Sequence, residues 1–359
     1  MEDKKNWKKC LILMISFTTL LMLLAAGLVL LIDPFFHFHA PLPGFSYIMD
    51  DERYQNDGII RNFDYDILIT GTSVSENFRV SLCDELFGGT SVKATCAGGY
   101  YREIADTERR ALEYNPDLKV VIRSMDTSFV LFDKDYRNPE APDPVYLYDD
   151  DPYNDEEYLF NGDVLFEYVC PIILRTIRGI PSDTMEDYMR FAEDRPLGAA
   201  YALQDIVTIE PAVLQRHLTE EERLMLTENI RCNLAANVEA YPDVEFYYFF
   251  PPYSIAEWIG AHIALGTMPA YIETMEIMTG EMLKYDNVHV FCFYDDTDMI
   301  TDLNNYSDMY HYSGEISDRI LEQMAAGEHE LTGDTYREYF ESVEEFYTNY
   351  DYALMFATE

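Results

Sequence analysis

Two short stretches of this chain carry residue types that can do acyl-transfer chemistry together. One is Gly71-Thr72-Ser73, just after the apolar run Ile67-Leu68-Ile69; the other, far downstream, is Asp308-Met309-Tyr310-His311. A serine hydroxyl is too weak an acid to attack a carbonyl unaided and needs a base within hydrogen-bond reach. Asp and His three residues apart on a tight loop can bond to each other. The carboxylate then holds one imidazole nitrogen and leaves the other to take the serine proton. Each stretch also has a plainer reading. Ser73 can cap a helix, and Asp308 with His311 can be a structural pair at the start of the last helix.

The elements around these stretches must bring them together. Ile67 to Ile69 suit a strand buried on both faces of a parallel sheet. Ligand-binding and catalytic groups of open α/β sheets collect at the carboxyl ends of such strands. The Gly-Thr-Ser turn there can expose a hydroxyl while leaving backbone N–H groups free to face it. Ser91 to Cys96 reads as a second strand, closed by Ala97-Gly98-Gly99. A helix follows from Arg102 to Tyr114, ending at Asn115-Pro116 because the residue before proline avoids helical angles. Lys119 to Arg123 is a third strand, so a right-handed crossover and a parallel pair are expected.

Residues 127–240 then read as a long insertion, with a Pro/Asp/Tyr-rich loop through Tyr158 and helical stretches over Val164–Arg178 and Thr219–Ala240. Glu220, Glu221 and Glu222 suit the first turn of the latter, at the positive end of the helix dipole. The α/β pattern resumes at Glu245–Phe250, stopped by Pro251-Pro252, with a helix over Ala270–Lys284 and a strand over Val288–Phe293. A helix over Gly314–Met324 follows, with Ser313 as N-cap. The tail over 331–359 is amphipathic, with Tyr339, Phe340, Val343, Phe346 and Tyr347 at helical spacing. It is expected to pack on the domain or to bind a partner.

At the other end, Cys10 to Ile32 is uncharged and long enough to cross a bilayer. Lys4, Lys5, Lys8 and Lys9 precede it, which predicts a cytoplasmic tail over 1–9 and an extracytoplasmic bulk. No small-x-small cleavage site follows before Asp33, so an uncleaved signal anchor is favoured over a signal peptide. Residues 33–64 read as a polar juxtamembrane linker, and Pro34-Phe35-Phe36-His37-Phe38-His39 as an aromatic collar at the lipid–water boundary. His37 and His39 have no third ligand nearby, so this is not read as a metal site.

The 359 residues carry a formal charge of −41. Setting aside the four lysines and two acids of residues 1–9 leaves 21 basic against 64 acidic residues, or −43. Such a surface repels nucleic acid and anionic membrane. Asp149-Asp150-Asp151 and Asp155-Glu156-Glu157 lack the alternating ligands and central glycine of a calcium loop and read as a solvated acidic loop. Of six cysteines, five lie outside the apolar span. Cys83–Cys96 is one possible disulfide, and the rest are expected to act as small buried hydrophobes. No dense His/Asp cluster is present, so neither a metal nor another cofactor is expected.

The ordered pair of motifs resembles the SGNH/GDSL hydrolase superfamily, which places its serine in a Gly-x-Ser turn after the first sheet strand and an Asp-x-x-His pair before the final helix. The resemblance covers roughly 65–126 and 245–325. It implies a flavodoxin-like three-layer α/β domain over 65–330 with the helical insertion 127–240. Ser73 would be the nucleophile, His311 the general base and Asp308 the residue orienting it. Gly98 or Gly99 would supply an oxyanion N–H. The anchor followed by Arg53-Tyr54-Gln55-Asn56, the Gly-Thr-Ser turn and Phe250-Pro251-Pro252-Tyr253-Ser254 is similar to membrane-anchored cell-surface members from Gram-positive bacteria, with the lipoteichoic-acid D-alanylation protein a more distant relative. The implied activity is an extracytoplasmic esterase or O-acyltransferase on a cell-envelope glycopolymer or other acylated glycan. One departure stands out. Where the family's enzymes carry Gly-x-Asn-Asp, this chain has Ser124-Met125-Asp126, and an ionised Asp126 cannot donate to an oxyanion. That substitution supports an alternative, a non-catalytic accessory protein that binds glycan or a membrane partner.

Overall fold

The computed structural model describes residues 2–142, 144–151, 153–191 and 195–356, with side chains from residue 6 onward. Met1 and the Lys4 and Lys5 side chains of the expected 1–9 tail, and residues 357–359 of the expected 331–359 tail, lie outside the described residues. The chain divides into two compact units, one of residues 1–63 with 142–184, the other of 64–141 with 185–359. The stretch 127–240, read as one insertion, is therefore shared between them.

The first unit is built on the Glu2–Ile32 helix, of which Asn6–Ile32 is long and apolar enough to cross a membrane. Most of that helix is exposed, but Ala26, Val29 and Ile32 near its end are buried. The expected aromatic collar is not at a surface. Phe35 and Phe36 are 1% and 0% exposed, and Phe35 packs against the rings of Tyr54, Tyr158 and Tyr168. The cause is Asp33, which sits at φ +48 and turns the chain back. Its carboxylate accepts the backbone N–H groups of His37, Phe38 and His39 at 3.1, 2.7 and 2.9 Å, and the Tyr158 hydroxyl at 2.8 Å. Charge-assisted bonds of this kind let polar backbone be buried.

The expected linker over 33–64 is likewise structured, with a helix at Glu52–Asn62. Its polar sequence hid it, because the polar residues face inward and are satisfied there. The Gln55 amide donates to Pro34 O at 3.0 Å and to Ile48 O at 2.8 Å. Gly58 lets the backbone of Phe35 and Phe36 come close, since a Cβ there would sit 2.0 Å from Phe35 O.

The second unit is a mixed α/β structure around a six-stranded sheet in the order β2-β1-β3-β4-β5-β6. Its strands are β1 Ile67–Gly71, β2 Ser91–Thr95, β3 Val120–Ser124, β4 Glu245–Phe250, β5 Val288–Cys292 and β6 Glu330–Leu331. The first five pair parallel, and only β6 is antiparallel. β1, β2 and most of β3 and β4 are buried, including the basic side chains of Lys93 and Arg123, the latter paired with Glu108 at 2.9 Å. The order reverses between β1 and β3, and at such a switch point open α/β sheets gather ligand-binding groups at the carboxyl ends of the strands. The helix predicted to start at Arg102 runs Tyr101–Tyr114 and stops before Pro116. The Val80–Phe87 helix has no counterpart in the sequence reading.

The tail helix Tyr336–Asn349 buries Tyr336, Phe340, Val343 and Tyr347. Tyr347 stacks face to face on Trp258 at 3.8 Å between centroids. Cys83 and Cys96 are separate free thiols rather than a disulfide. Both are buried, Cys96 beside the Thr107 hydroxyl, and burial pushes the Cys83 thiol up to about 12. Cys170 is exposed and Cys232 half-buried, so the expectation of buried hydrophobes fits Cys83, Cys96 and Cys292 only.

Candidate active site

β1 delivers Ser73. Its last residue, Gly71, has φ +127, and a Cβ there would lie 2.1 Å from the Ser124 hydroxyl, so only glycine fits. The chain then breaks from the sheet. Thr72 N–H donates to Ser124 Oγ at 3.2 Å, and Ser73–Ser75 forms a single 3-10 turn closed by Ser75 N–H to Thr72 O at 3.0 Å. Ser73 does not cap that turn with its side chain. Its Oγ lies 2.8 Å from His311 Nε2 instead.

The histidine loop is braced from three sides. Tyr306 and Tyr312 pair across its neck, and Ser307 N–H reaches His311 O at 2.9 Å. The Tyr312 hydroxyl donates to Val74 O at 2.8 Å, tying this loop to the serine turn. Beyond β4, Ser254 holds Met309 O through both its N–H (3.1 Å) and its hydroxyl (2.9 Å), while the Tyr306 hydroxyl reaches Pro252 O at 2.8 Å. The Gly314–Ala326 helix begins after this loop, with Ser313 Oγ accepting from Ile316 N–H.

Asp308 sits behind the ring. Its Oδ2 is 2.7 Å from His311 Nδ1, and its Oδ1 accepts the N–H groups of Tyr310 and His311, both at 2.8 Å. Burial alone would raise this carboxyl, but its bond to the His311 ring and the two backbone donors hold it below the usual range. An ionised Asp308 fixes the proton on Nδ1 and leaves Nε2 as the acceptor facing Ser73. Ser73, His311 and Asp308 are thus brought together in one hydrogen-bonded line.

Two residues beside the ring went unnoticed in the sequence. Phe191 meets His311 edge-on at 5.6 Å, and its N–H donates to Asn77 Oδ1 at 2.9 Å. Arg195 lies over the Phe191 ring at 4.0 Å, with Nη1 4.0 Å from Asp308 Oδ2. Both belong to a stretch without hydrophobic periodicity, so no pattern marked them.

The remaining predicted residues are arranged differently. Gly98 takes the left-handed position of a turn (φ +58), and the Asn138 amide donates to its carbonyl at 3.1 Å. Gly99 N–H is spent within that turn on Cys96 O at 2.8 Å. The N–H groups of Ser73 and Gly98 bond to no described residue. Asp126 is buried, 7% exposed, and faces donors on several sides. Its Oδ1 accepts Ser128 N–H at 3.0 Å, the Thr72 hydroxyl lies 3.5 Å from its Oδ2, and the Tyr253 and Ser128 hydroxyls also turn toward it. Burial raises its carboxyl, against the pull of these donors. The arrangement treats Asp126 as an acceptor that fastens the Thr72–Ser73 turn to the Ser128 turn.

No protein-family model and no curated protein matches the sequence. Among solved structures, one described provisionally as a platelet activating factor from Streptococcus pneumonia aligns over 80% of this chain and 91% of that one, at 11% identity and a TM-score of 0.38. That likeness is too slight to carry an inference about fold or function.

Proposed function

We propose that this chain is a membrane-anchored serine acyltransferase or esterase of the SGNH type, with a flavodoxin-like three-layer α/β domain whose parallel strands run in the order 2-1-3-4-5. The observation that carries the reading is the line from Ser73 Oγ through the His311 ring to Asp308, with contacts of 2.8 and 2.7 Å. His311 Nε2 takes the hydroxyl proton as Ser73 Oγ bonds to the carbonyl carbon of an ester. The resulting oxyanion is received by the open N–H groups of Ser73 and Gly98. Collapse breaks the bond to the leaving alcohol, which takes the proton from His311, and leaves an acyl group on Ser73. Water or a sugar hydroxyl then repeats the sequence in reverse, regenerating the serine.

The N-terminal apolar helix supports a cell-envelope location, with the acidic bulk extracytoplasmic and a glycopolymer or other acylated glycan as substrate. The reading is tested with a fluorophosphonate probe on the detergent-solubilised full chain. Labelling lost in Ser73→Ala and sharply reduced in His311→Ala is expected. No labelling of a folded chain rejects it.

A second reading has its own observation. Asp126, at the position where the SGNH resemblance puts a donor asparagine, stands with its oxygens facing donors, which favours an accessory protein that keeps the fold to bind glycan or a membrane partner. Unlabelled but folded protein that retains glycan binding would support it.

A further inference from the structure

The first unit carries an apolar surface that the acyl-transfer reading does not use. The sequence from Val164 to Arg178 forms a π-helical segment, Val164–Val169, continued by an α-helix, Cys170–Arg178. Val164, Val169 and Ile172 face the interior of the unit. The opposite side is also largely apolar beyond the exposed Asp163 and Glu167 near its start. Phe166, Leu174 and Ile177 are 70%, 45% and 77% exposed, and the Cys170 thiol between them is exposed too. Spacings of four, four and three residues put these side chains on one stripe. A surface helix that is apolar on both sides needs a second apolar neighbour.

Its position says what that neighbour is. The Val164–Val169 segment packs directly on the Glu2–Ile32 helix. Near the end of that helix Val29 and Ile32 are buried, while Leu28, Leu30 and Leu31 face outward. The exposed stripe thus belongs to the helical stretch that packs on the membrane-length helix. Arg178 is exposed at the stripe's far end, where a long cationic side chain can reach headgroups while its stem stays in apolar surroundings. Gly179, at φ +67, ends the helix there, and the next residue, Ile180, is again exposed.

We propose that the stripe Phe166, Cys170, Leu174 and Ile177 lies in the lipid–water interface as a second, in-plane membrane contact of the first unit. The contact is apolar, so the acidic surface of the chain does not oppose it in a zwitterionic bilayer, and high salt leaves it in place. It rests on the Glu2–Ile32 helix crossing a bilayer but not on the chemistry of Ser73.

The test places an environment-sensitive fluorophore on Cys170 of the full chain carrying Cys10→Ser and Cys232→Ser, reconstituted in phosphatidylcholine vesicles. A second label goes on Ile177→Cys with Cys170 also replaced by serine. Leu224→Cys, an exposed apolar position of the second unit, serves as the aqueous control, and Leu20→Cys reports the spanning helix. At positions 170 and 177, several-fold weaker quenching by aqueous iodide than at 224 is expected. Strong quenching by lipids with a nitroxide near the headgroup should accompany it, unchanged in high salt. Phe166→Glu combined with Ile177→Glu should restore iodide access at Cys170. Iodide access equal to the 224 control, with Leu20→Cys quenched deep in the bilayer, overturns the proposal. Protection that disappears as protein is diluted to one copy per vesicle also overturns it, in favour of contact between copies.

Discussion

The two sides of the candidate site are finished to different degrees. On the relay side, every group is held in the geometry that proton transfer needs. The contacts from Ser73 to His311 and from His311 to Asp308 are 2.8 and 2.7 Å, and both oxygens of Asp308 are engaged. At the turns that the SGNH resemblance assigns to anion stabilisation, the N–H groups of Ser73 and Gly98 bond to no described residue, while Gly99 N–H is taken by Cys96 O and Asp126 accepts Ser128 N–H. The difference teaches that a proton relay and an anion-stabilising pocket are separate devices with opposite electrostatic demands. Carboxylates serve the first by holding a histidine, and an ionised one beside the second works against it.

The relay side is broken hardest by Asp308→Asn. An amide holds the ring in the wrong tautomer, and a rate loss on the order of 10³- to 10⁴-fold is expected, measured as turnover of a small ester. Stability gives an independent reading of the same carboxylate. Because the folded state holds Asp308 below its ordinary value, its contribution is present above about pH 4. It fades as pH falls through the lower folded value. The stability difference between the native chain and the Asp308→Asn variant in chemical denaturation should shrink toward acid in that window.

Gly71→Ala acts on the hinge between the two sides. With φ +127 and a clash against the Ser124 hydroxyl, it should cost about 2–3 kcal/mol in unfolding free energy. It should also lower fluorophosphonate labelling of the molecules that remain folded. Normal labelling and stability would mean that the serine turn tolerates the shift.

Asp126→Asn sharpens the comparison from the other side. Removing the charge should raise the esterase rate by roughly 10- to 100-fold. Burial raises the Asp126 carboxyl, so the protonated form becomes accessible as pH falls. The gain should therefore be largest at neutral and alkaline pH and narrow toward acid. An unchanged or reduced rate at every pH would show that Asp126 matters for holding the Thr72–Ser73 turn and not through its charge.

The smallest effect is expected at Arg195, which is 45% exposed and 4.0 Å from Asp308. Arg195→Ala should change turnover only a few-fold, within about 1 kcal/mol, and less in high salt.

These contrasts follow what a sequence can carry. The parallel strands and the two motifs were legible because short runs such as Ile67–Ile69 and Val120–Ile122 are apolar and the catalytic residue types sit in short turns. β4 falls on Glu245–Phe250 as expected, and the helix after the histidine loop begins at Gly314 with Ser313 as its cap. The Glu52–Asn62 helix was not legible, because its buried face includes Gln55, Asn56 and Asp57, and Gln55 finds its partners at Pro34 and Ile48, outside the helix. The Phe35–Phe36 turn was misread for a related reason. Aromatic residues after an apolar helix look interfacial until Asp33 folds them back. Phe191 and Arg195 were hidden because tertiary placement alone, and no local pattern, brings them to His311.

The central claim is that Ser73 is a nucleophile activated by His311. Rapid-quench mass spectrometry of the full chain mixed with p-nitrophenyl acetate tests it most directly. One acetyl group per chain on the peptide containing Ser73, formed in a burst and absent from folded Ser73→Ala and His311→Ala chains, is the predicted result. Acetylation elsewhere, or none on a chain with intact circular dichroism, would contradict it.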